Sequence, residues 1–563
     1  MPRRLTERRA TAIILAILFI AVAHIDFVNL IRRHNLECVI PFPQCSDEAF
    51  YYAFAHSLAF DGDADLTNEF RFIAFGPIGI DINGLFYGDY FEGPKPMISK
   101  VGFGTALLTL PFILAARAAV ALYHACGGPA VHRFAAVYLW TYKLGMLFWS
   151  FIGIAAAYAL LRRLGRSMWI AAGAVVAAVL GLSIGFYIVF QNLWSHIISF
   201  GWVTLFLLCC ARWHENMRET PGRPLHLLLP LMVGLAGGLC CSIRFNNLLI
   251  LPVPLIVCVH EGLRRVRGDS PARRGLRLPV LLSFGAIGAG LFIGFLPQML
   301  VWRSMYGEWI VNTYGRFGEH LQLWPRYLLG ILFSPRCGLF LWTPLAALGT
   351  AGIAAGIRRE GRQSPWPWIC AYILLADVWF SGCFPGWHMG NSFGARYQSD
   401  YTFVFAYGLS VVFAGARGRR CVSLVLKVTV VVLVLWNFYL MEAFRASVIG
   451  SMDVQLAPRP FCIRTLVAER RTILQQLNTD LSRLFDAGLY TDYRRRYPLM
   501  TPADLGLPSP EERQRDFDGN NQMGELARWR RICIEHSERI IYPGGRKRPL
   551  PRGGEASPAP PPS

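Results

Sequence analysis

Lysine is nearly absent. The 563 residues hold five: Lys95, Lys100, Lys143, Lys427 and Lys547. Acidic residues are also few, 36 against 56 basic ones, so the net charge of +20 is almost all arginine. No nucleic-acid-binding motif accompanies that charge, which argues against a nucleic-acid partner. The fourteen cysteines are scattered, with no CxxC and no Cys/His ligand spacing, so a zinc site is not expected. Most of them, such as Cys209, Cys210, Cys240 and Cys241, lie in apolar stretches, where a free thiol acts as a small hydrophobe. There is no glycine-rich strand–loop–helix signature for a nucleotide. There is also no internal repeat, which weighs against an inverted-repeat transporter.

What the chain has in quantity is apolar sequence: 54% of residues are hydrophobic and only 16% charged. That composition excludes disorder. The apolar residues come in blocks of about twenty rather than with the period of a soluble helix or strand, and this describes an all-α polytopic membrane protein. Blocks near 11–30, 134–161, 168–190, 197–213, 225–243, 247–263, 279–302, 339–357, 366–384, 401–416 and 422–441 give about eleven spans. The first follows a basic start and is too long for a signal peptide, so it reads as a retained anchor.

A further block at 102–123 is ambiguous. If it lies in the interface, the basic segments Arg162–Arg166, Arg212–Arg223, Arg264–Arg277, Arg358–Arg362 and Arg417–Arg420 all fall on the cytoplasmic side. If it crosses, all of them face outward. Its Pro111 and Arg117 also suit an interfacial helix. The expected topology is therefore N-inside and C-outside. Residues 1–441 form the transmembrane module, with a first outer loop at 31–133 that carries interfacial helices. Residues 442–543 form an outer, partly helical tail, and the Pro/Gly/Arg-rich end at 544–563 is expected to be disordered.

The first outer loop concentrates acids, and its sharpest element is Ser46-Asp47-Glu48 followed by Tyr51 and Tyr52. Two carboxylates at a helix start can be a plain capping pair. Held at the membrane face, one of them can equally accept a proton from an incoming hydroxyl. Lys95, in a Pro-Lys-Pro turn, stands at headgroup depth, either as an interfacial anchor or as a phosphate ligand. Arg244 falls between two spans with almost no loop, where a charge is costly and is by default functional. Arg336 and Arg396, the latter followed by Tyr397 in a glycine-rich segment, sit at the same face. Each arginine can hold phosphate oxygens, or pair with a structural acid such as Asp400. His196, His320 and His388 also face outward and are weak candidates for a divalent metal, without the helical spacing that would strengthen them.

At these residues the chain resembles the GT-C-type membrane glycosyltransferases, a superfamily that includes protein O-mannosyltransferases and the lipid A aminoarabinose transferase. The likeness rests on Asp47-Glu48 with Tyr51 and Tyr52, Asp61-Gly62-Asp63, the Lys95-Pro96 turn, Phe333–Leu339 and Ser392–Tyr397, and it spans roughly Met1 to Met441. It implies a polyprenyl-phosphate-linked sugar donor and a glycan, lipid or protein acceptor. It further implies inverting transfer with Asp47 as base, Glu48 placing the acceptor or sharing a metal, and Lys95 on the lipid phosphate. The setting it implies is the inner (plasma) membrane, with the active site on the outer, periplasmic face. A transporter or flippase for lipid-linked sugars is the alternative, using the same arginines without a base. In an oxidising compartment, Cys38 with Cys45 would brace the loop ahead of Asp47, and Cys462 with Cys533 would pair in the tail.

Overall fold

The computed structural model describes residues 16–24, 46–66, 69, 99–128, 131, 133, 135–219, 227–268, 277–316, 320–334, 337–387 and 392–445. Lys95, Arg336, His388, the four cysteines proposed to pair and the tail from 446 onward lie outside them. Among the described residues there are helices and turns and no strand.

Among the described residues, twelve helices of fourteen residues or more carry the fold. In order they are α1 Ser46–Phe60, α2 Gly104–Ala125, α3 Ala136–Arg163, α4 Met168–Gly181, α5 His196–Glu219, α6 Leu228–Ile243, α7 Val253–Val266, α8 Arg277–Tyr306, α9 Leu345–Glu360, α10 Trp366–Gly382, α11 Thr402–Gly415 and α12 Arg420–Arg445. Among the described residues, six helical stretches are long and apolar enough to cross a membrane: Gly104–Ala125, Val137–Arg163, His196–Arg218, Phe245–Val266, Val280–Tyr306 and Arg420–Met441.

The sequence expects about eleven full-length spans, and two of the expected ones are broken. The block at 168–190 stops at Gly181 and restarts as a short helix, Ile184–Val189. The carbonyls freed at that break accept from the Asn437 amide, at 2.8 Å from Leu180 O and 3.2 Å from Leu182 O. The block at 339–357 splits at Thr343-Pro344, between Leu339–Trp342 and α9, because a proline removes an amide donor and crowds the preceding turn. Pro111 and Pro297, by contrast, remain inside α2 and α8.

Where lipid surrounds helices, apolar burial does little to hold them together, and close backbone approach matters more. Gly234 and Gly238 of α6 face Gly290 and Gly294 of α8 so closely that a Cβ on any of them would overlap the partner backbone. Gly352 of α9 and Gly408 of α11 meet in the same way, a Cβ on Gly352 overlapping Gly408 and one on Gly408 overlapping Gly349.

The bundle has two polar ends. At one, α1 packs on the first half of α3, with the Tyr52 and Tyr142 rings 5.4 Å apart and Phe60 4.9 Å from Tyr138. At the other, Arg163 at the end of α3 pairs with Glu215 at 2.5 Å, and Arg166 pairs with Glu360 at 2.7 Å.

The sequence lays the 102–123 segment in the interface, whereas by length and composition α2 qualifies to cross. Its contacts follow the first half of α3. Trp149 Nε1 donates to Leu108 O at 3.0 Å. Near the other end of α2, Arg117 donates to Ala59 O and lies 4.7 Å over Phe60. Arg117 is thereby tied to the end of α1, and α2 stays beside the half of the bundle that holds α1.

Candidate active site

Asp47 stands in the first turn of α1. Its i+4 neighbour Tyr51 shares its helix face. Glu48 is turned inward and buried. The Asp47–Tyr51 face meets three loops that are distant in sequence.

The first is Ser392–Arg396. Gly394 is in the left-handed region at φ +55°, with Ser183 against the place a Cβ would occupy, so glycine is the residue that fits. Phe393 is fully buried, stacked 4.6 Å from Phe186, and its carbonyl accepts from Tyr187 Oη at 2.9 Å. A turn anchored this way fixes Arg396. The Arg396 guanidinium lies 4.3 Å over the Trp194 ring and 5.4 Å over Tyr397. Its Nη1 reaches Asp47 Oδ2 at 3.7 Å. The Arg396 side chain is only 11% exposed, so the charge is held largely away from water. Its Nε has no hydrogen-bond partner among the described residues, nor does Nε1 of the Trp194 indole beneath it. Buried polar atoms are normally satisfied, so these two donors are available to a polar ligand.

The second loop joins α6 to the 3-10 turn Phe245–Ile250 and carries Arg244. Arg244 Nε lies 2.9 Å from Asp400 Oδ2. Asp400 is fully buried and also receives His196 Nδ1–H at 2.7 Å and Asn246 Nδ2–H at 3.4 Å. Burial alone would raise the Asp400 carboxyl, but Arg244 and His196 outweigh it and hold the group below its usual range. Of the two readings the sequence allows for Arg244, the structure takes the ion pair with Asp400. Its Nη1 still serves the site, donating to Ser195 Oγ at 3.2 Å. Ser195 in turn donates to Tyr51 Oη at 2.8 Å.

His196 is a link in this network. Arg244 Nη1 faces its Nε2 at 3.3 Å and Asp400 takes its Nδ1 proton. With a guanidinium against one ring nitrogen and a proton on the other, His196 is not placed to bind a metal ion, contrary to the expectation for it. His320 is exposed. Among the described residues no three His, Cys, Asp or Glu side chains gather to hold a metal.

The third is the segment after α8, which carries Tyr314, with Lys100 from the segment ahead of α2 beside it. Tyr314 lies near enough to Arg244, Tyr51, Asp47 and Tyr397 to feel their charges, and burial pushes its phenol well up. Lys100 Nζ stands 6.0 Å from the centroid of the Tyr314 ring. Lys95, in the same segment, lies outside the described residues.

Asp47, Arg244, Arg396 and Tyr397 thus lie at one site. Trp194, Ser195, Tyr51, Tyr314 and Lys100 join them without having been singled out for the chemistry. Tyr51 was legible through its spacing from Asp47. The Trp194-Ser195 pair carried no local signal.

No family model matches the chain, and no curated protein matches it. Among solved structures it is similar to ArnT from Cupriavidus metallidurans in the apo state, at 14% identity and a TM-score of 0.41, over 86% of this chain and 76% of that one. It is also similar to the archaeal oligosaccharyltransferase AglB from Archaeoglobus fulgidus, in complex with an inhibitory peptide and a dolichol-phosphate. There the identity is 12% and the TM-score 0.41, over 77% of this chain and 55% of that one.

Proposed function

We propose that this protein is a membrane glycosyltransferase that moves a sugar from a polyprenyl-phosphate donor to an acceptor hydroxyl or amide. On this reading the reaction takes place at the outer face of the inner membrane. The observation that carries the proposal is the Asp47 carboxylate 3.7 Å from the guanidinium of Arg396, which lies against Trp194 and whose Nε has no hydrogen-bond partner among the described residues. A carboxylate facing the aqueous side of the site, with a fixed cation next to it, is what a single displacement at a sugar–phosphate bond requires.

In that displacement the acceptor oxygen or nitrogen attacks the anomeric carbon, and Asp47 takes the acceptor proton. The bond from the anomeric carbon to the phosphate oxygen breaks. Its electron pair leaves with the polyprenyl phosphate, and the configuration inverts. Arg396 meets the negative charge that grows on the phosphate, a contact worth more in a partly dry site than in water. Base and leaving group lie on opposite faces of the sugar in such a step, so the donor enters between Asp47 and Arg396 and parts them. Lys100, and Lys95 by its place in the sequence, supply further positive charge for the diffuse end of the donor. Arg244 acts one step back: neutralised by Asp400, it orients Ser195 and through it Tyr51, one turn from the base.

The test is reconstitution of the purified chain in proteoliposomes with a panel of polyprenyl-phosphate sugars and soluble acceptors. Release of polyprenyl phosphate together with a glycosylated product supports the proposal. Movement of intact donor across the bilayer without cleavage would instead make the protein a flippase.

A further inference from the structure

The end of the bundle opposite Asp47 and Arg396 holds a second charged site that the reaction does not use. The ends of α3, α5, α7 and α9 meet there around a cavity of about 400 Å³, lined by Arg166, Arg218, Arg264, Glu360, Trp366 and Tyr407. From this geometry we infer that the cavity binds a phosphate ester through its three arginines.

Arg166 and Arg264 are built into the wall. The side chain of each is only 11% exposed. Arg166 Nη2 meets both oxygens of Glu360 at 2.7 Å, its Nε donates to Ser410 Oγ at 3.1 Å, and its guanidinium lies 5.7 Å over the Tyr407 ring. Tyr407 Oη donates to the same carboxylate at 3.1 Å, so both partners are locked. Arg264 Nη1 rests 3.4 Å from Glu261 Oε1, which also takes His214 Nε2 at 2.7 Å and has Arg218 Nε at 3.8 Å. A loop whose arginines merely obey the positive-inside bias leaves them in water. Here two are nearly covered, a third stands half exposed at the rim, and all three face one space.

Three arginines against two carboxylates, Glu360 in the lining and Glu261 behind Arg264 and Arg218, leave the cavity with a net positive charge. A guanidinium offers planar paired donors that match phosphate oxygens and lose little freedom on binding. The volume falls in the range of small-ligand sites, enough for a phosphate with a glycerol- or sugar-sized body. Two sources carry that chemistry. One is the headgroup of an anionic phospholipid, which basic cavities between membrane helices bind. The other is a soluble phosphate ester. The inference does not depend on the function proposed for the opposite end.

Native mass spectrometry of the full chain in detergent tests it, with phosphatidylglycerol, phosphatidylcholine, glycerol 3-phosphate and citrate as probes. The variant is Arg218→Gln with Gln363→Glu. Arg218 is half exposed and Gln363, also in the lining, is exposed, so the pair lowers the charge by two without opening the core. Its thermal midpoint verifies folding. Phosphatidylglycerol bound at least tenfold more tightly than phosphatidylcholine, and weakened at least tenfold in the variant, identifies the lipid headgroup. Glycerol 3-phosphate retained by the wild type and lost in the variant identifies the soluble ester. Citrate binding as well as either phosphate overturns the inference, as do the absence of both phosphates and unchanged binding in a folded variant.

Discussion

Arg396 reaches Asp47 at 3.7 Å from the far end of the described chain, with its guanidinium laid on the Trp194 ring. The distance is longer than a charge-assisted hydrogen bond, which runs about 2.7–2.9 Å. Each group therefore keeps capacity for a third party, and the contact is a pair that a ligand can open rather than a closed structural bridge.

Because Arg396 is assigned to the phosphate, its loss should appear in donor binding. Arg396→Gln is expected to raise the donor KM at least about tenfold, roughly 1.4 kcal/mol, with a smaller change in acceptor KM. Arg396→Lys should not restore it, since a lysine neither stacks flat on Trp194 nor presents paired donors. Initial rates at varied donor concentration in proteoliposomes check both variants.

Asp400 is expected to matter for stability more than any other residue near the site. It is a fully buried carboxylate bound by Arg244 and His196. Asp400→Ala strands Arg244, and breaking a buried pair from one side costs about 3–5 kcal/mol. Asp400→Asn, which keeps an acceptor, should cost less. The native group sits below its usual range, so the unfolded chain takes up its proton first as pH falls. Its contribution is complete above the unfolded value of about 3.9 and drains away as pH drops through the lower native value. Thermal midpoints in detergent from pH 3 to 7 should fall at the acid end for wild type, and less steeply for Asp400→Asn.

Beyond the site, Glu69 offers a pH signature of opposite sign. It is fully buried, with His56 Nδ1 at 2.9 Å from its Oε1. His56 Nε2 faces Arg133 O at 2.9 Å and so carries a proton, which leaves one further proton to be shared between Nδ1 and the carboxyl. Burial, with help from Asp61 and Asp63 and against Arg133, raises Glu69 to about 8. The native state then keeps a proton that the unfolded chain gives up near pH 4.5. Stability should decline from there toward pH 8, by at most about 1.4 kcal/mol per pH unit, and level off beyond. Glu69→Gln should flatten that slope in the same melting experiment.

Much of this arrangement was legible in the sequence, and the parts that were not share a cause. Asp47 was visible because a carboxylate opening a helix at a membrane face has few roles. Arg244 was visible because a charge between two spans needs a reason. Its partner was not determined, because local spacing does not rank Asp400 against a ligand; the packing of α5 and α6 beside the turn before α11 does. Lys100 stands beside Tyr314, a contact set by how the segment ahead of α2 docks on the bundle, while Lys95 lies outside the described residues. The helix breaks divide the same way. Pro344 marks one openly, while the break after Gly181 depends on Asn437, an amide from another helix. Arg117 reads as an interfacial residue and turns out to bind the end of α1.

The central claim is that Asp47 removes the acceptor proton. Asp47→Asn keeps the size and hydrogen-bonding shape of the side chain and removes only its basicity. The most direct measurement is single-turnover transfer from a radiolabelled polyprenyl-phosphate sugar by wild type and Asp47→Asn, with tryptophan-fluorescence melting and donor binding run on the same preparations. The expected result is a loss of roughly 10²–10⁴ in rate, with the melting temperature and donor affinity near those of wild type. A folded Asp47→Asn protein that transfers sugar at near the wild-type rate would contradict it.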